Sequence, residues 1–178
     1  MRWLRFGIAL LRARFRRKLT ISEDSVVDFR VWFTDVDASI MNHAALMTVM
    51  ETGRIDLMVR SGFLALALER RWYFATRGIS VQFLRPLKVF QRARLITRVS
   101  HVDEQWIHVE HQVVRRDKVV AIATVQSAVK HGRERVSYDE IAAVLDIGSL
   151  PRQRTELITL FEQEQAAMNA RLGEVRER

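Results

Sequence analysis

The spacing of apolar residues along the chain predicts one strand, one long helix and then four more strands. Apolar and polar residues alternate over residues 26–33, which is typical of a strand. Residues 44–59 are good helix formers with apolar side chains on nearly every side, and Gly62 provides a stop. Four β-rich runs follow, at residues 72–83, 93–102, 106–114 and 119–129, separated by turn signals. The pattern predicts an α+β fold, in which an antiparallel sheet of about five strands wraps around the long central helix.

The first 20 residues predict a separate, basic amphipathic helix. At the helical period one side carries apolar residues and the other carries arginines: Trp3, Leu4, Ile8, Leu10, Leu11 and Phe15 against Arg2, Arg5, Arg12 and Arg16. The uninterrupted apolar run over residues 6–11 is much shorter than the roughly 20 residues that span a bilayer. Two interpretations stand side by side: residues 1–18 lie on an anionic membrane surface, or they pack on their own domain or on a dimer mate.

Residues 24–133 are expected to form the globular part, and the pattern of residues 137–178 predicts a helical extension after it. Ser137-Tyr138-Asp139-Glu140 matches a capping box that opens a short helix to about residue 145, and residues 148–151 interrupt it. Residues 155–172 carry apolar residues at helical spacing among Glu and Gln. This last helix could seal a channel, strengthen a dimer or bind a partner.

The distribution of charge argues against a nucleic-acid-binding domain. The net charge is +8 over 178 residues, but seven positive residues precede the first acid, Glu23, so the rest of the chain carries only +1. The body of the protein therefore lacks the basic surface that such domains need. There is no cysteine, which excludes disulfides and a cysteine nucleophile.

Asp37 lies between the first strand and the long helix, within residues 35–44 (DVDASIMNHA). The first turn of a helix has unpartnered N–H groups and partial positive charge, so it can hold a developing oxyanion while a nearby carboxylate attacks or directs water. This arrangement is suited to acyl transfer. An aspartate before a helix is also commonly a cap or a turn residue, and that alternative stays open; Asp35 is expected to serve the turn.

These residues resemble the hot-dog fold thioesterases, in particular the group similar to 4-hydroxybenzoyl-CoA thioesterase and its thioesterase-like bacterial relatives. The family pattern is approximately D-x-D-x-G-H-x-N-N/H-A-R-Y, followed along the helix by F-E-x-A-R. Here residues 35–46 read DVDASIMNHAAL and residues 51–54 read ETGR. Later stretches at residues 83–87, 110–111 and 119–123 also resemble the family, so the resemblance covers about residues 26–131.

Two dipeptides depart from the family pattern. The Gly-His pair of the family is Ser39-Ile40 here, and its Arg-Tyr pair is Ala45-Leu46. Because of these departures, two functions stay open: a thioester hydrolase, and a non-catalytic acyl-binding or membrane-associated scaffold with the same fold.

The resemblance implies roles for the polar residues near the helix start. Asp37 would be the nucleophile or general base, with the carbonyl oxygen near the amides around Met41 to His43. Asn42 would cap the helix and position the site, and His43 would bind substrate or assist proton transfer, unless it only bonds locally. Glu51 is a secondary candidate for a catalytic carboxylate, whose simpler role is an ion pair with Arg54.

The resemblance also implies where an acyl-CoA, fatty or aryl, would bind. The candidates for the acyl channel and its mouth are apolar, namely Met41, Leu46, Met47 and Met50. Basic residues at the rim would meet the phosphates of CoA, namely Arg85, Lys88 and Arg92. No cofactor is required, because a thioester is already an activated acyl group.

A homodimer or a dimer of dimers is implied, since this fold normally pairs the sheets of two subunits. The expected location is cytoplasmic. If residues 1–18 lie on a membrane, the contact would be peripheral and at the inner membrane surface.

A metal site is not expected from the histidines. His101, His108, His111 and His131 show no metal-ligand spacing, and His108 and His111 fall on opposite faces of one strand. The motifs of serine hydrolases, P-loop proteins and Rossmann domains (G-x-S-x-G, G-x-x-x-x-G-K-[ST] and G-x-G-x-x-G) are missing from the sequence.

Overall fold

A computed structural model describes residues 2–145 and 155–176 of the chain, with side chains for residues 6–145 and 155–171. The described helices are α1 (Arg2–Arg14), α2 (His43–Arg60), α3 (Phe63–Glu69), α4 (Tyr138–Ala142) and α5 (Glu156–Arg176). The strands are β1 (Ser25–Arg30), β2 (Val36–Asp37), β3 (Ile40–Met41), β4 (Trp72–Phe83), β5 (Arg92–Val102), β6 (Ile107–Arg115), β7 (Lys118–His131) and β8 (Glu134–Arg135). The interruption predicted at residues 148–151 lies outside the described residues.

The main sheet is antiparallel and runs in the order β1-β5-β6-β7-β4, with the short β8 paired to β7. It curls around α2, so the predicted α+β architecture is confirmed. Alternate residues of β5 are buried, so one face of this strand packs into the core and the other is less buried. The division of the chain into three segments stays a prediction.

Two apolar clusters fill the space between α2 and the sheet. The first lies beneath the start of α2 and includes Leu46, Met50 and Leu95. The second lies beneath its end and beneath α3, and includes Leu57 and Trp72. A long helix that is apolar on most sides is stable here because the curled sheet and α3 cover it.

Gly53 sets how closely α2 approaches the sheet. A Cβ at this position would collide with Oγ1 of Thr97 and lie 2.6 Å from Cδ2 of Leu95, both on β5. Only a residue without a side chain allows this approach. The contact therefore fixes the depth of α2, and with it the position of the helix start.

A buried carboxylate, Asp56, connects α2 to the N-terminal segment. Its oxygens accept hydrogen bonds from Arg16 (2.9 Å), Ser25 (2.6 Å) and Arg60 (2.9 Å), and Asp56 is only 3% exposed. Arg60 also donates from Nε to the carbonyl of Arg17 (2.8 Å). A buried charge is tolerated when several charge-assisted hydrogen bonds surround it, so this network holds the segment after α1 against α2.

Helix α5 packs on the face of the sheet opposite α2. Its residues Ile158 and Phe161 are buried, and the Phe161 ring lies 6.1 Å from the ring of His108 on β6. Both faces of the middle of β7 are consequently buried. This packing places polar outer-face residues of β6 and β7 in the interior.

Candidate active site

The start of α2 is organised by Asn42. Its side-chain Oδ1 accepts from the amide of Ala45 (2.7 Å), and its own amide donates to the carbonyl of Asp35 (2.8 Å). The other end of the same side chain, Nδ2, donates to Oδ1 of Asp37 at 3.4 Å, a long hydrogen bond. The predicted helix cap is confirmed, and the cap reaches the predicted acid.

Asp37 lies on a two-strand hairpin in front of the helix. Strands β2 and β3 pair Asp37 with Ile40 across the turn Ala38-Ser39, and Ala38 takes a left-handed φ of 58°. Asp37 is exposed in the single chain. Asp35 behaves as expected of a turn residue, because its buried carboxylate accepts from the amide of Trp32 (2.9 Å).

Of the three amides that the sequence indicated, those of Met41, Asn42 and His43, two are occupied by backbone hydrogen bonds. The amide of Met41 donates to the carbonyl of Leu87 (2.7 Å), and that of Asn42 is bound to Asp35. Both are taken because β3 and the loop before β5 pack together. Within the described residues, the amides of His43 and Ala44 are the first-turn donors that the cap leaves open.

A cavity of about 240 Å³ opens at this end of α2. Its walls bring together four of the residues predicted for the site, Met41, His43, Leu46 and Arg85. The remaining walls are apolar and come from β3, the end of β4, the loop after it and β7: Ile40, Phe83, Leu84, Pro86, Leu87 and Val120. His43 is exposed and packs edge-on against the Phe83 ring, with 4.4 Å between centroids.

Of the three predicted basic residues, Arg85 lines this cavity and Lys88 and Arg92 do not. Arg85 is exposed and donates to the carbonyl of Val119, and Lys88 pairs with Ile40 in an isolated bridge. Arg92 is exposed at the start of β5, opposite Arg30. Lys88 therefore stands beside β3, and Arg92 lies at the end of the loop that leads into β5.

Two methionines predicted for the channel lie elsewhere. Met50 is buried in the cluster with Leu95, and Met47 is exposed. Neither lines the cavity at the helix start or the larger one beside the end of α2. The direction in which each residue points depends on the rotation of α2 about its axis, which an almost uniformly apolar helix does not reveal in its sequence.

A second cavity, larger than the one at the helix start, measures about 430 Å³ and lies between the second half of α2, α3 and β4. Its walls are apolar except for a few polar groups, among them Glu51 and Arg54. These two residues form the ion pair that their spacing predicted. Glu51 stays partly exposed, whereas Arg54 is largely buried, and burial lowers the pKa of the Arg54 guanidinium.

His111 lies close enough to Arg54 for the charge of Arg54 to act on it, and the sequence predicted no role in the site for this histidine. Its Nδ1 lies 2.9 Å from Oγ1 of Thr97, and the residue is fully buried. Burial, with a smaller effect of the positive charge of Arg54, lowers the pKa of His111 to about 3. The imidazole is therefore neutral at physiological pH.

Helix α1 rests on α2, with Ala13 buried, and leaves an apolar strip outside. Leu10, Leu11 and Phe15 are exposed beside Arg12 and Arg14, and Phe15 is 79% exposed. No helix in the described parts of the chain has the length and apolar character needed to cross a bilayer. The predicted packing on the chain's own domain is present, and the exposed strip remains available to another surface.

A curled antiparallel sheet around one long central helix is the hot-dog fold. A family model described as the thioesterase-like superfamily matches residues 31–145, so the chain belongs to that superfamily. A search of curated proteins found no match.

Solved structures with the same fold are similar over most of their own length. A hypothetical protein from Thermus thermophilus has a TM-score of 0.64 at 18% identity, covering 74% of this chain and 100% of that one. A gentisyl-coenzyme A thioesterase has 0.58 at 18%, covering 68% and 98%. A Staphylococcus aureus protein solved in complex with CoA has 0.58 at 13%, covering 78% and 92%. At these identities the likeness establishes the fold.

The depressed pKa of His111 predicts a specific pH dependence of stability. The native state keeps the ring neutral down to a pH of about 3, whereas the unfolded chain protonates it below about 6.5. The contribution of His111 to the free energy of unfolding is therefore complete above pH 6.5 and is lost as the pH falls toward 3. Between pH 7 and 5 the loss should be about 2 kcal/mol. Urea unfolding of His111→Asn should show a correspondingly smaller loss.

The exposed His131 provides the control, since His131→Asn should keep the wild-type pH dependence. A wild-type slope in His111→Asn would contradict the assignment of a buried neutral ring.

Proposed function

We propose that the protein hydrolyses acyl-CoA thioesters, fatty or aryl, with Asp37 as the catalytic carboxylate. The observation that supports this most is the contact of Asn42 with both Asp37 and the first turn of α2. It holds an acid beside the helix N-terminus, and the cross-strand partner of that acid, Ile40, lines a cavity with mostly apolar walls. Membership of the thioesterase-like superfamily and the CoA-bound and thioesterase neighbours support the same substrate class.

In the proposed reaction the thioester carbonyl oxygen lies against the amides of His43 and Ala44. Asp37 either attacks the carbonyl carbon directly or removes a proton from a water molecule that attacks it. The developing negative charge on the oxygen is stabilised by the two amides and the positive end of α2. The C–S bond then breaks and CoA leaves as a thiolate. In the water route this step releases the free acid, whereas in the direct route it leaves an acyl–Asp37 anhydride, which water hydrolyses to the free acid and the restored carboxylate. In both routes the thiolate takes up a proton that the attacking water loses.

The substrate would enter with its acyl group toward the cavity at the helix start. Met41 and Leu46 form part of the walls there, His43 lies at the mouth, and Arg85 is on the rim. The phosphates of CoA would meet Arg85, Lys88 and Arg92, which are all exposed. Met47 and Met50 have no contact with the acyl group in this arrangement.

Glu51 is the second candidate carboxylate, because it lines the larger apolar cavity. Its carboxylate is already engaged in the ion pair with Arg54. Asp37 is preferred since it alone combines an acid with open helix-start amides. The two assignments predict different mutants to be inactive.

Replacing Asp37 with Asn should lower kcat/KM for acyl-CoA hydrolysis by about 10²–10⁴-fold, because it removes the attacking or proton-accepting carboxylate. The measurement is thiol release from a panel of aryl and fatty acyl-CoA substrates. Asp28→Asn is the matched control, since Asp28 is an exposed carboxylate paired with Arg94 on β5, and should keep wild-type activity.

Equal rates for folded Asp37→Asn and wild type would remove the assigned role of Asp37. Loss of activity in Glu51→Gln alone would transfer the chemistry to Glu51. A panel without turnover by the wild type would favour the second candidate function, a non-catalytic acyl-binding scaffold, which the apolar Ile40 and Ala45 at family polar positions support.

We also propose that two copies pair through β4. This strand has 12 residues, ends the sheet on its side, and leaves Tyr73, Ile79 and Phe83 exposed. A long open edge favours pairing with another strand. Phe83 touches His43, so a partner at this edge would come close to the start of α2. Because α5 covers the other sheet face, a dimer is preferred over a dimer of dimers paired through bare sheets.

Ile79→Lys should convert the dimer into monomers, because it places a charge in the paired edge. Sedimentation velocity should show wild type at about twice the chain mass of 20.8 kDa, and the variant at the chain mass. Leu11→Lys, an equivalent change on α1, should remain dimeric. A monomeric wild type at micromolar concentration would overturn the pairing.

The exposed strip on α1 is proposed to touch an anionic membrane surface. Leu10, Leu11 and Phe15 would enter the interface while Arg12 and Arg14 meet lipid headgroups. Deleting residues 1–18 is a poor test, since it also removes Arg16 from Asp56. Point substitutions leave that network in place.

Leu11→Ser with Phe15→Ser should therefore reduce co-sedimentation with anionic vesicles by at least about tenfold, while neutral vesicles bind neither protein. Leu68→Ser, an exposed apolar residue on α3, is the control and should bind as wild type does. Undiminished binding of the double variant would exclude α1 as the contact.

A further inference from the structure

Two histidines that are seven residues apart in the sequence are neighbours on the outer face of the sheet. The register of β5 and β6 places His101 directly opposite His108, with 5.5 Å between the ring centroids. Both residues are buried, with His101 2% exposed and His108 0%. His108 and His111 do lie on opposite faces, as their spacing predicts, but cross-strand pairing supplies His108 with another partner.

A carboxylate completes the group. Asp103 follows β5 in the turn to β6, and its Oδ1 accepts from the amides of Gln105 (2.7 Å) and Trp106 (2.8 Å). Its other oxygen, Oδ2, lies 4.0 Å from Nε2 of His101. The turn amides thus hold the carboxylate with one oxygen toward the imidazole, as outer contacts orient the ligands of metal sites.

The ring nitrogens of His101 have unused hydrogen-bonding capacity in the interior. Within the described residues neither of its ring nitrogens makes a hydrogen bond, although both are buried. An imidazole in the interior normally finds a partner for at least one nitrogen, because leaving both unsatisfied costs free energy. A bound cation would satisfy the nitrogen that faces Asp103.

We propose that His101, Asp103 and His108 bind one divalent transition-metal cation of the zinc type. One potential ligand atom of each residue lies within 4.8 Å of the others. Metal–ligand bonds of roughly 2.0–2.2 Å place tetrahedral ligands about 3.4 Å apart, so small side-chain rotations close the site. Two imidazoles and one carboxylate favour zinc-like ions over Mg²⁺ or Ca²⁺, which prefer oxygen ligands.

The surroundings give the ion access and a favourable charge. A cavity of about 610 Å³ lies beside the site, between the β5–β6 turn and α5. Three carboxylates line it, from Asp103, Glu104 and Glu162, against one guanidinium, from Arg77. Water from this cavity would supply a fourth ligand.

The location assigns a structural role to the ion. His101 and Asp103 come from the end of β5, His108 from β6, and Phe161 of α5 covers the His108 ring. Metal binding would fasten the β5–β6 turn under α5. This inference does not depend on the proposed hydrolase activity, because the site lies on the sheet face opposite α2.

The test is metal binding by the full-length, tag-free protein after chelator treatment. Wild type should bind about one equivalent of Zn²⁺ in equilibrium dialysis, and Co²⁺ should give the intense visible absorption of a tetrahedral site. Zn²⁺ at 100 times its Kd should raise Tm by roughly 5–10 °C, whereas Mg²⁺ should not.

His101→Gln and, separately, Asp103→Asn should weaken Zn²⁺ binding by at least about tenfold and abolish the Co²⁺ spectrum. Asp103→Asn retains the acceptor for the turn amides, so it reports on the site even if a buried histidine variant fails to fold. His131→Gln, an exposed histidine on β7, is the control and should bind as wild type does. Wild-type affinity in Asp103→Asn, or no stoichiometric Zn²⁺ in the wild type, would overturn the proposal.

Discussion

One side chain, that of Asn42, couples the helix start to the acid in front of it. Its oxygen accepts from the first turn of α2 and its nitrogen donates to Asp37, while its backbone amide is bound to Asp35. If this residue did not bridge the two elements, Asp37 would only be a surface residue of a small hairpin. The proposed chemistry depends on this bridge, because an oxyanion site requires the acid and the open amides at a fixed separation.

The position of that bridge is determined further along α2. Gly53 lets the helix lie close to Thr97, and Asp56 fixes its second half to Arg16, Ser25 and Arg60. With the middle and the end of α2 fixed, its start is held beside Phe83 and the loop that follows. Stability and function are therefore connected: the contacts that orient the helix are remote from the cavity that they shape.

The strands and α2 could be predicted because alternation and apolar periodicity are local properties of the sequence. Helix α3 was missed, since its seven residues follow Gly62 and have no polar cap. The β2–β3 hairpin was missed because its strands have two residues each and its turn uses a positive φ at Ala38 instead of a glycine. Short elements held by tertiary contacts leave weak patterns.

Those residues of the candidate site that belong to a sequence motif could be predicted, whereas residues whose place depends on packing could not. Residues 35–46 indicated the acid and the cap, and the structure brings Met41, His43, Leu46 and Arg85 to one cavity. The places of Met47, Met50 and His111 follow from the rotation of α2 and from strand register. The same register joins His101 to His108, a pairing that spacing along one strand cannot reveal.

The most direct test of the central claim is a crystal structure with an acyl-CoA ketone analogue, in which a methylene group replaces the thioester sulfur. The account predicts the analogue's carbonyl oxygen about 3 Å from the amide nitrogen of His43 or Ala44, with the Asp37 carboxylate facing the carbonyl carbon. A carbonyl bound in the larger cavity beside Glu51, with Asp37 still in solvent in the assembled protein, would contradict it.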